Sequence, residues 1–162
     1  MALYSRRNNL RISGIPEEQK AETAEETTKN VVQILNENIE DLNLNLADID
    51  ISHRLGKRYP TGHRQIIVKF ISRHNRDRVI RNRKVFKGKK IFINEDLTKL
   101  NQTVLTTIRT TTPENETAWS WDGKLYHKTG HGQINVVPFD DYTSLLGDSW
   151  DVNLLNGARF IN

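Results

Sequence analysis

The sequence predicts the α+β class, on three observations. Four short segments carry apolar residues at every second position, the mark of half-buried strands. Two segments between them carry apolar residues at three- and four-residue steps, the mark of amphipathic helices. A third helical segment after Asp96 leads into alternating runs around Asp122-Gly123, a two-residue hairpin signal.

Taken in order, Leu10 and Ile12 alternate with Arg11 and Ser13 in a first strand that Gly14 and Pro16 stop. From Thr23 onward the pattern turns helical. Thr27 or Thr28, Val31, Ile34, Leu35 and Asn38 form one stripe that fades between Asn38 and Asp41, and the acids between Glu17 and Glu26 suit the positive end of the helix dipole. Leu42, Leu44 and Leu46 read as a loop or a short extended piece. Ile49 and Ile51 alternate with Asp48 and Asp50 in a second strand running toward Leu55. Gly56 to His63, with Lys57, Arg58 and Tyr59, is a flexible basic loop. The third strand, Arg64 to Ile71, points Ile66, Val68 and Phe70 at the core and Gln65, Ile67 and Lys69 away from it. Ser72 caps a second helix that runs to about Val85, anchored by Val79 and Ile80. Lys87-Gly88 turns the chain into a fourth strand, Lys89 to Asn94, with Ile91 and Ile93 inward and Lys90, Phe92 and Asn94 outward.

The order βαββαβ is that of the split βαβ, or ferredoxin-like, arrangement. It assigns residues 8–96 to one domain, with the first and third strands central in an antiparallel sheet and both helices behind it. The open face would carry Arg11, Ser13, Gln65, Ile67, Lys69, Lys90 and Phe92. Residues 97–146 are assigned to a small C-terminal domain of a helix and antiparallel strands. Its helix has Leu97, Leu100, Val104, Leu105 and Ile108 on one face and ends at Pro113, and Pro138 to Leu146 adds a short helix. Trp119 and Trp121 share one strand face and are assigned to the core. Tyr126 and His127 either stack on a ligand or pack. Residues 147–162 form a tail of unassigned order.

Charge is the strongest functional signal. Between Ile51 and Ile93 stand fourteen Lys and Arg and one acid, Asp77, a local net charge of +13 in a chain whose total is +4, so that the remainder sums to −9. Such a block favours a polyanion, above all nucleic acid, over a merely solubilising surface. The absence of Cys excludes a disulfide framework and a Cys-based zinc site. No apolar run reaches the length of a membrane span and no charged-then-apolar leader opens the chain, so a soluble intracellular protein is expected. Enzyme chemistry finds little support. His127 and His131 fall on a strand and a turn without Cys or a supporting acid, and no Gly-rich phosphate loop is present. The Gly-Asp-Ser run within Leu145 to Trp150 resembles an esterase opening, but only twelve residues follow Trp150, too few for an oxyanion hole and a His base. No catalytic residue, metal or cofactor is expected. The central strands offer Arg11, Gln65 and Ile67 where RNA-recognition domains carry stacking aromatics. Binding is therefore expected to lean on phosphate contacts and guanidinium stacking.

R-R-N-N-L-R-I-S-G-I-P-E (Arg6 to Glu17), H-R-L-G-K (His53 to Lys57), R-Q-I-I-V-K-F (Arg64 to Phe70) and K-G-K-K-I-F-I-N-E-D-L (Lys87 to Leu97) occur in this order and spacing. With them, and more loosely through Trp119, Trp121, Asp122-Gly123 and Lys124, the chain resembles the first open-reading-frame protein of long interspersed element (LINE) retrotransposons over about nine tenths of its length. The baculoviral few-polyhedra proteins share the I-I-V-K-F style of motif and are the nearest alternative within the same physics. The resemblance to the retrotransposon proteins implies a noncanonical RNA-recognition-motif domain followed by a C-terminal domain. It also implies single-stranded RNA or DNA binding, nucleic-acid chaperone activity, partnership with the element's reverse transcriptase, and residence in cytoplasmic ribonucleoprotein particles, with the nucleus as a second location. Family members trimerise through a coiled coil ahead of R-R-N-N. Four residues precede Ser5 here, so a fragment, or a member without that element, is expected: a homotrimer only with an upstream coiled coil, otherwise a monomer. Gln102 stands where the family's C-terminal helix carries a base, with Lys99 and Arg109 nearby, so weaker contact is expected there.

The basic block and the resemblance together assign RNA contact to Arg6, Arg7, Asn9 and Arg11 at the mouth of the first strand and to Arg54, Lys57, Arg58 and Arg64 around the basic loop. Lys69 and Lys90 are assigned to the open sheet face. Arg73 and Lys89, and Arg109, Lys124, Tyr126 and Lys128 of the C-terminal domain, complete the set. Arg73, Arg76, Arg78, Arg81 and Arg83 encircle the second helix, so roughly half of them are expected to be plain solvated charges. The alternative is a non-enzymatic interaction module whose ferredoxin-like sheet takes an acidic protein partner.

Overall fold

A computed structural model describes residues 6–18, 20–58 and 60–147. Tyr59, the tail beyond Gly147 and the greater part of the Gly-Asp-Ser run lie outside the described residues. The chain divides into two compact units, Arg7–Asp96 and a second built mainly from Leu97 onward. Among the described residues the fold is mixed α+β, with two antiparallel sheets and four α-helices.

The larger unit runs β1 (Asn9–Ser13), α1 (Ala24–Asn38), β2 (Ile49–Arg54), β3 (Ile66–Phe70), α2 (Arg73–Arg81), β4 (Phe92–Glu95). The sheet order is β2-β3-β1-β4, every pair antiparallel, so β1 and β3 are central. Leu10, Ile12, Ile66, Val68, Phe70 and Ile93 point to one side and pack with Val31, Leu35, Val79 and Ile80 of the helices. Helix α1 starts where Thr23 accepts the Glu26 N–H at 3.1 Å, with Glu25 and Glu26 in its positive first turn. It stops where Ile39 turns extended. Asn36 then pins the following loop, its side chain accepting from the Leu44 N–H at 2.8 Å and donating to the Leu44 carbonyl at 2.9 Å.

Two strands depart from simple alternation. A bulge separates Ile49, paired with Phe70, from Ile51, paired with Lys69. The extra residue, Asp50, reverses the face. Ile49 is buried and Ile51 is 44% exposed, while Ser52 and Arg54 turn inward. The fourth strand begins at Phe92, not Lys89. Residues 87–90 are a turn, and Lys90 sits at φ +60°, outside the sheet. Gly14 packs under that turn at φ +93°, and a Cβ there would lie 1.9 Å from the Lys90 carbonyl oxygen. Ser72 caps α2 by accepting from the Asn75 N–H at 3.1 Å. The helix ends at Arg81, earlier than Val85, because Asn82 leaves the helical region and returns its side chain to the Arg78 carbonyl. A 3₁₀ turn, Arg83–Phe86, then drops Phe86 into the core.

The smaller unit runs α3 (Lys99–Thr111), β5 (Thr117–Trp121), β6 (Lys124–Lys128), β7 (Ile134–Val136) and α4 (Tyr142–Leu146). Thr98 caps α3 through the Asn101 N–H, and the helix closes at Thr112, before Pro113. Asp122 and Gly123 both have positive φ, the requirement of a type I′ hairpin turn. Leu100, Val104, Leu105 and Ile108 pack with Ala118, Leu125, Tyr142 and Leu146. The Tyr142 hydroxyl donates to Asn101 Oδ1 at 2.8 Å, so the one buried amide of α3 is satisfied from α4.

Candidate nucleic-acid interface

The basic block divides into cations held by protein acceptors and cations left at the surface. Three of its arginines are struts, Arg54 and Arg76 buried and Arg64 half-buried. Arg54 is buried: Nη1 donates to the Ile15 and Arg64 carbonyls at 2.8 and 2.9 Å, Nη2 to the Pro16 carbonyl at 2.9 Å, and Nε to Glu22 at 3.3 Å. Arg64 clasps Glu17 through Nε at 2.8 Å and through Nη2, and its Nη1 donates to the Gly56 carbonyl at 3.0 Å. Hydrogen bonds from the Arg64 side chain hold the Glu17 carboxyl down at about 2, from an ordinary 4.5, against the opposing push of burial. Arg76, on α2, donates to Glu95 at 2.8 Å and Asp77 at 3.0 Å, all within the unit. Burial pushes Asp77 up, but the hydrogen bonds from Arg76 and Arg73 outweigh it and leave the carboxyl below its usual value.

Arg54 and Arg64, assigned from the sequence to RNA contact around the basic loop, fasten that loop to the strand end and Glu17. A rigid guanidinium fork can serve several carbonyls and carboxylates at once, which an ammonium cannot. Asn9 is likewise buried and donates to Asp96 at 3.0 Å. Arg11 lies half-buried on the outward face of the sheet. Its Nε donates to Asp96 at 2.8 Å and its Nη1 to Gln65 at 3.3 Å, and Gln65 donates in turn to Ser13. Ile67, on the same face, is buried. Arg73 bonds Asp77 at 2.9 Å, and Arg6 donates to the Leu97 carbonyl at 3.2 Å.

The remaining cations stay at the surface. Arg7, Lys57 and Arg58 are exposed and Lys69 is half-exposed on β3, while Arg58 also donates to the Lys20 carbonyl at 3.4 Å. Lys90 leaves the sheet face for the turn, because the strand starts later than alternation implied. Lys89 reaches Asn38 at the end of α1. These two belong to a cluster that sequence reasoning did not assemble. Arg81, Lys84, Lys87, Lys89 and Lys90 are exposed and Arg83 half-exposed, with no acid between residues 81 and 90. The signal was the acid-free run from Asp77 to Glu95.

In the smaller unit Arg109 donates to the Ala118 carbonyl at 3.0 Å. Trp119 and Trp121 are not core. Ala118 and Ser120 take the buried positions of β5, which puts both indoles on the outward face beside Lys124, Tyr126 and Lys128 of β6. Among the described residues no cluster of His, Asp or Glu is placed to hold a metal ion, and no helix is long and apolar enough to cross a membrane. Comparison with protein-family models gives no match to this chain, and comparison with curated proteins gives none either.

Proposed function

We propose that the protein binds single-stranded RNA or DNA and acts as a nucleic-acid chaperone of a non-LTR retrotransposon. In this role it packages element RNA into a ribonucleoprotein for the reverse transcriptase and performs no chemistry of its own. The observation that carries this reading is the run from Arg81 to Lys90, with six Lys and Arg at the surface and no acid among them. Glu17, Glu22, Glu95 and Asp96 of the larger unit are engaged by Arg64, Arg54, Arg76 and Arg11. Lys57, Arg58 and Lys69 are further surface cations of the same unit. The strand order β2-β3-β1-β4 supports reading the larger unit as ferredoxin-like and akin to an RNA-recognition motif. The retrotransposon assignment rests on the sequence motifs between Arg6 and Leu97.

A second reading has an observation of its own. Phe92 and Ile51, 61% and 44% exposed on the outward side of the larger sheet, suit a protein partner. Filter binding to single-stranded RNA at two salt concentrations separates the two. If roughly five phosphates are neutralised, log K falls with log salt at a slope of about −3.5. Absence of binding at low salt rejects the nucleic-acid reading and leaves the protein-partner one.

A further inference from the structure

The outward face of the three-stranded sheet has a composition unlike the rest of the protein. Cross-strand register sets Trp119 opposite Tyr126 and Trp121 opposite Lys124. The Trp119 and Tyr126 rings stack at 5.9 Å between centroids and 13° between planes. Strand β7 continues the face, with Val136 beside Tyr126 and Ile134 beside Lys128. Trp121 is 37% exposed, Val136 51% and Ile134 57%, while Ala118, Ser120 and Leu125 hold the opposite, buried side. Of the residues that the three strands place on this face, none is acidic, and two are exposed lysines.

The lysines identify the occupant. Cores of protein–protein interfaces are depleted of Lys, whereas here Lys124 stands opposite Trp121 and Lys128 follows Tyr126 on the same strand face. Four residues apart on one strand, they are separated by roughly 14 Å, with the Trp119–Tyr126 pair between them and Trp121 level with Lys124. Flat rings flanked by ammonium groups match the alternation of base and phosphate along an unpaired strand. We infer that this face is a base-stacking platform for single-stranded nucleic acid, with bases on Trp121 and on the Trp119–Tyr126 pair and phosphates on Lys124 and Lys128. The inference rests on the nucleic-acid reading above. It supplies the stacking surface that β1 and β3 of the larger sheet lack, where Arg11 and Ile67 occupy the corresponding outward positions.

The test uses the full chain with Trp150→Phe, so that fluorescence reports on Trp119 and Trp121 alone. Two probes of equal length are titrated: an oligouridylate, and an abasic strand with the same phosphates and no bases. The oligouridylate quenches the fluorescence and the abasic strand does not. Trp121→Ala weakens oligouridylate binding about tenfold and leaves abasic binding unchanged, and Trp121→Phe restores most of the loss. Trp121 is exposed at a strand end, and circular dichroism matching the parent confirms that its removal leaves the fold intact. If Trp121→Ala binds both strands as the parent does, the platform is wrong and phosphate binding elsewhere stands. If the parent binds neither strand, the nucleic-acid reading falls along with the platform. A dimer in solution that Trp121→Ala dissociates assigns the face to a second copy and overturns the inference.

Discussion

On the outward face of the four-stranded sheet, Arg11, Gln65 and Ser13 bond to one another in a row, whereas the outward face of the three-stranded sheet carries Trp119, Tyr126 and Trp121 beside two exposed lysines. The larger unit has the charge and the smaller one the rings. Within the larger unit a second division separates cations held by the protein from cations left at the surface. Arg54, Arg64 and Arg76 are consumed by carbonyls and carboxylates, while Lys57, Lys84 and Lys87 remain in water. Positive charge counted along a sequence is therefore not positive charge offered to a ligand. The guanidinium fork is drawn inward wherever several acceptors converge, and the compact, strongly hydrated ammonium stays out.

The sharpest way to break that division is Arg76→Ala. Arg76 and Glu95 are both buried, and removing the guanidinium takes a charged hydrogen-bond donor from a buried carboxylate. A loss of about 3–5 kcal/mol in urea unfolding is expected. Arg76→Lys recovers only part of it, because one ammonium cannot reach Glu95, Asp77 and the Asn9 carbonyl together. A loss below about 1 kcal/mol in the alanine variant would show that the buried arginines are not struts.

Gly14→Ala is expected to cost less, about 1–3 kcal/mol, from backbone strain at positive φ and a clash with the Lys90 carbonyl. Its mark is local: amide exchange quickens first in the turn of residues 87–90. Uniform quickening across the unit would separate the basic cluster from the packing of β1.

How much of this was legible in the sequence depended on whether a local rule settled the outcome. Thr23 and Ser72 at the helix starts, the Asp122-Gly123 turn and the inward set Ile66, Val68 and Phe70 follow from capping, turn and alternation chemistry. The face of Ile51 did not, because a bulge adds a residue that no period-two pattern reveals. The indoles were misplaced for a different reason. Hydrophobicity assigns Trp119 and Trp121 to the core, but strand parity allows only one alternating set inward, and the set taken is Ala118 and Ser120. The arginine struts were illegible because their acceptors, such as the Ile15 carbonyl for Arg54, come from distant segments.

A milder probe of the struts is pH. Glu17 titrates at about 2 in the folded protein and near 4.5 when unfolded, so the unfolded chain binds more protons between those values. The clasp with Arg64 is at full strength above pH 4.5 and is lost as pH falls toward 2. Glu17→Gln should therefore flatten the dependence of stability on pH across that window, followed by urea unfolding at stepped pH. An unchanged profile would mean that other carboxylates govern acid unfolding.

The smallest effect on stability, and the most direct test of the charge that remains outside, is Lys84→Gln with Lys87→Gln. Both side chains are exposed, so stability should change by no more than about 0.5 kcal/mol, in contrast to the buried arginine of the same charge block. Binding should respond where folding does not. If both ammonium groups contact phosphates of a single strand, the slope of log K against log salt becomes less negative by about 1.4, uniformly across sequences. An unchanged slope would return these lysines to the role of solvated charges and move the binding surface to Lys57, Lys69 or the hairpin. A changed slope together with an unfolded protein would mean that the separation of the three arginine struts from the surface cations does not hold.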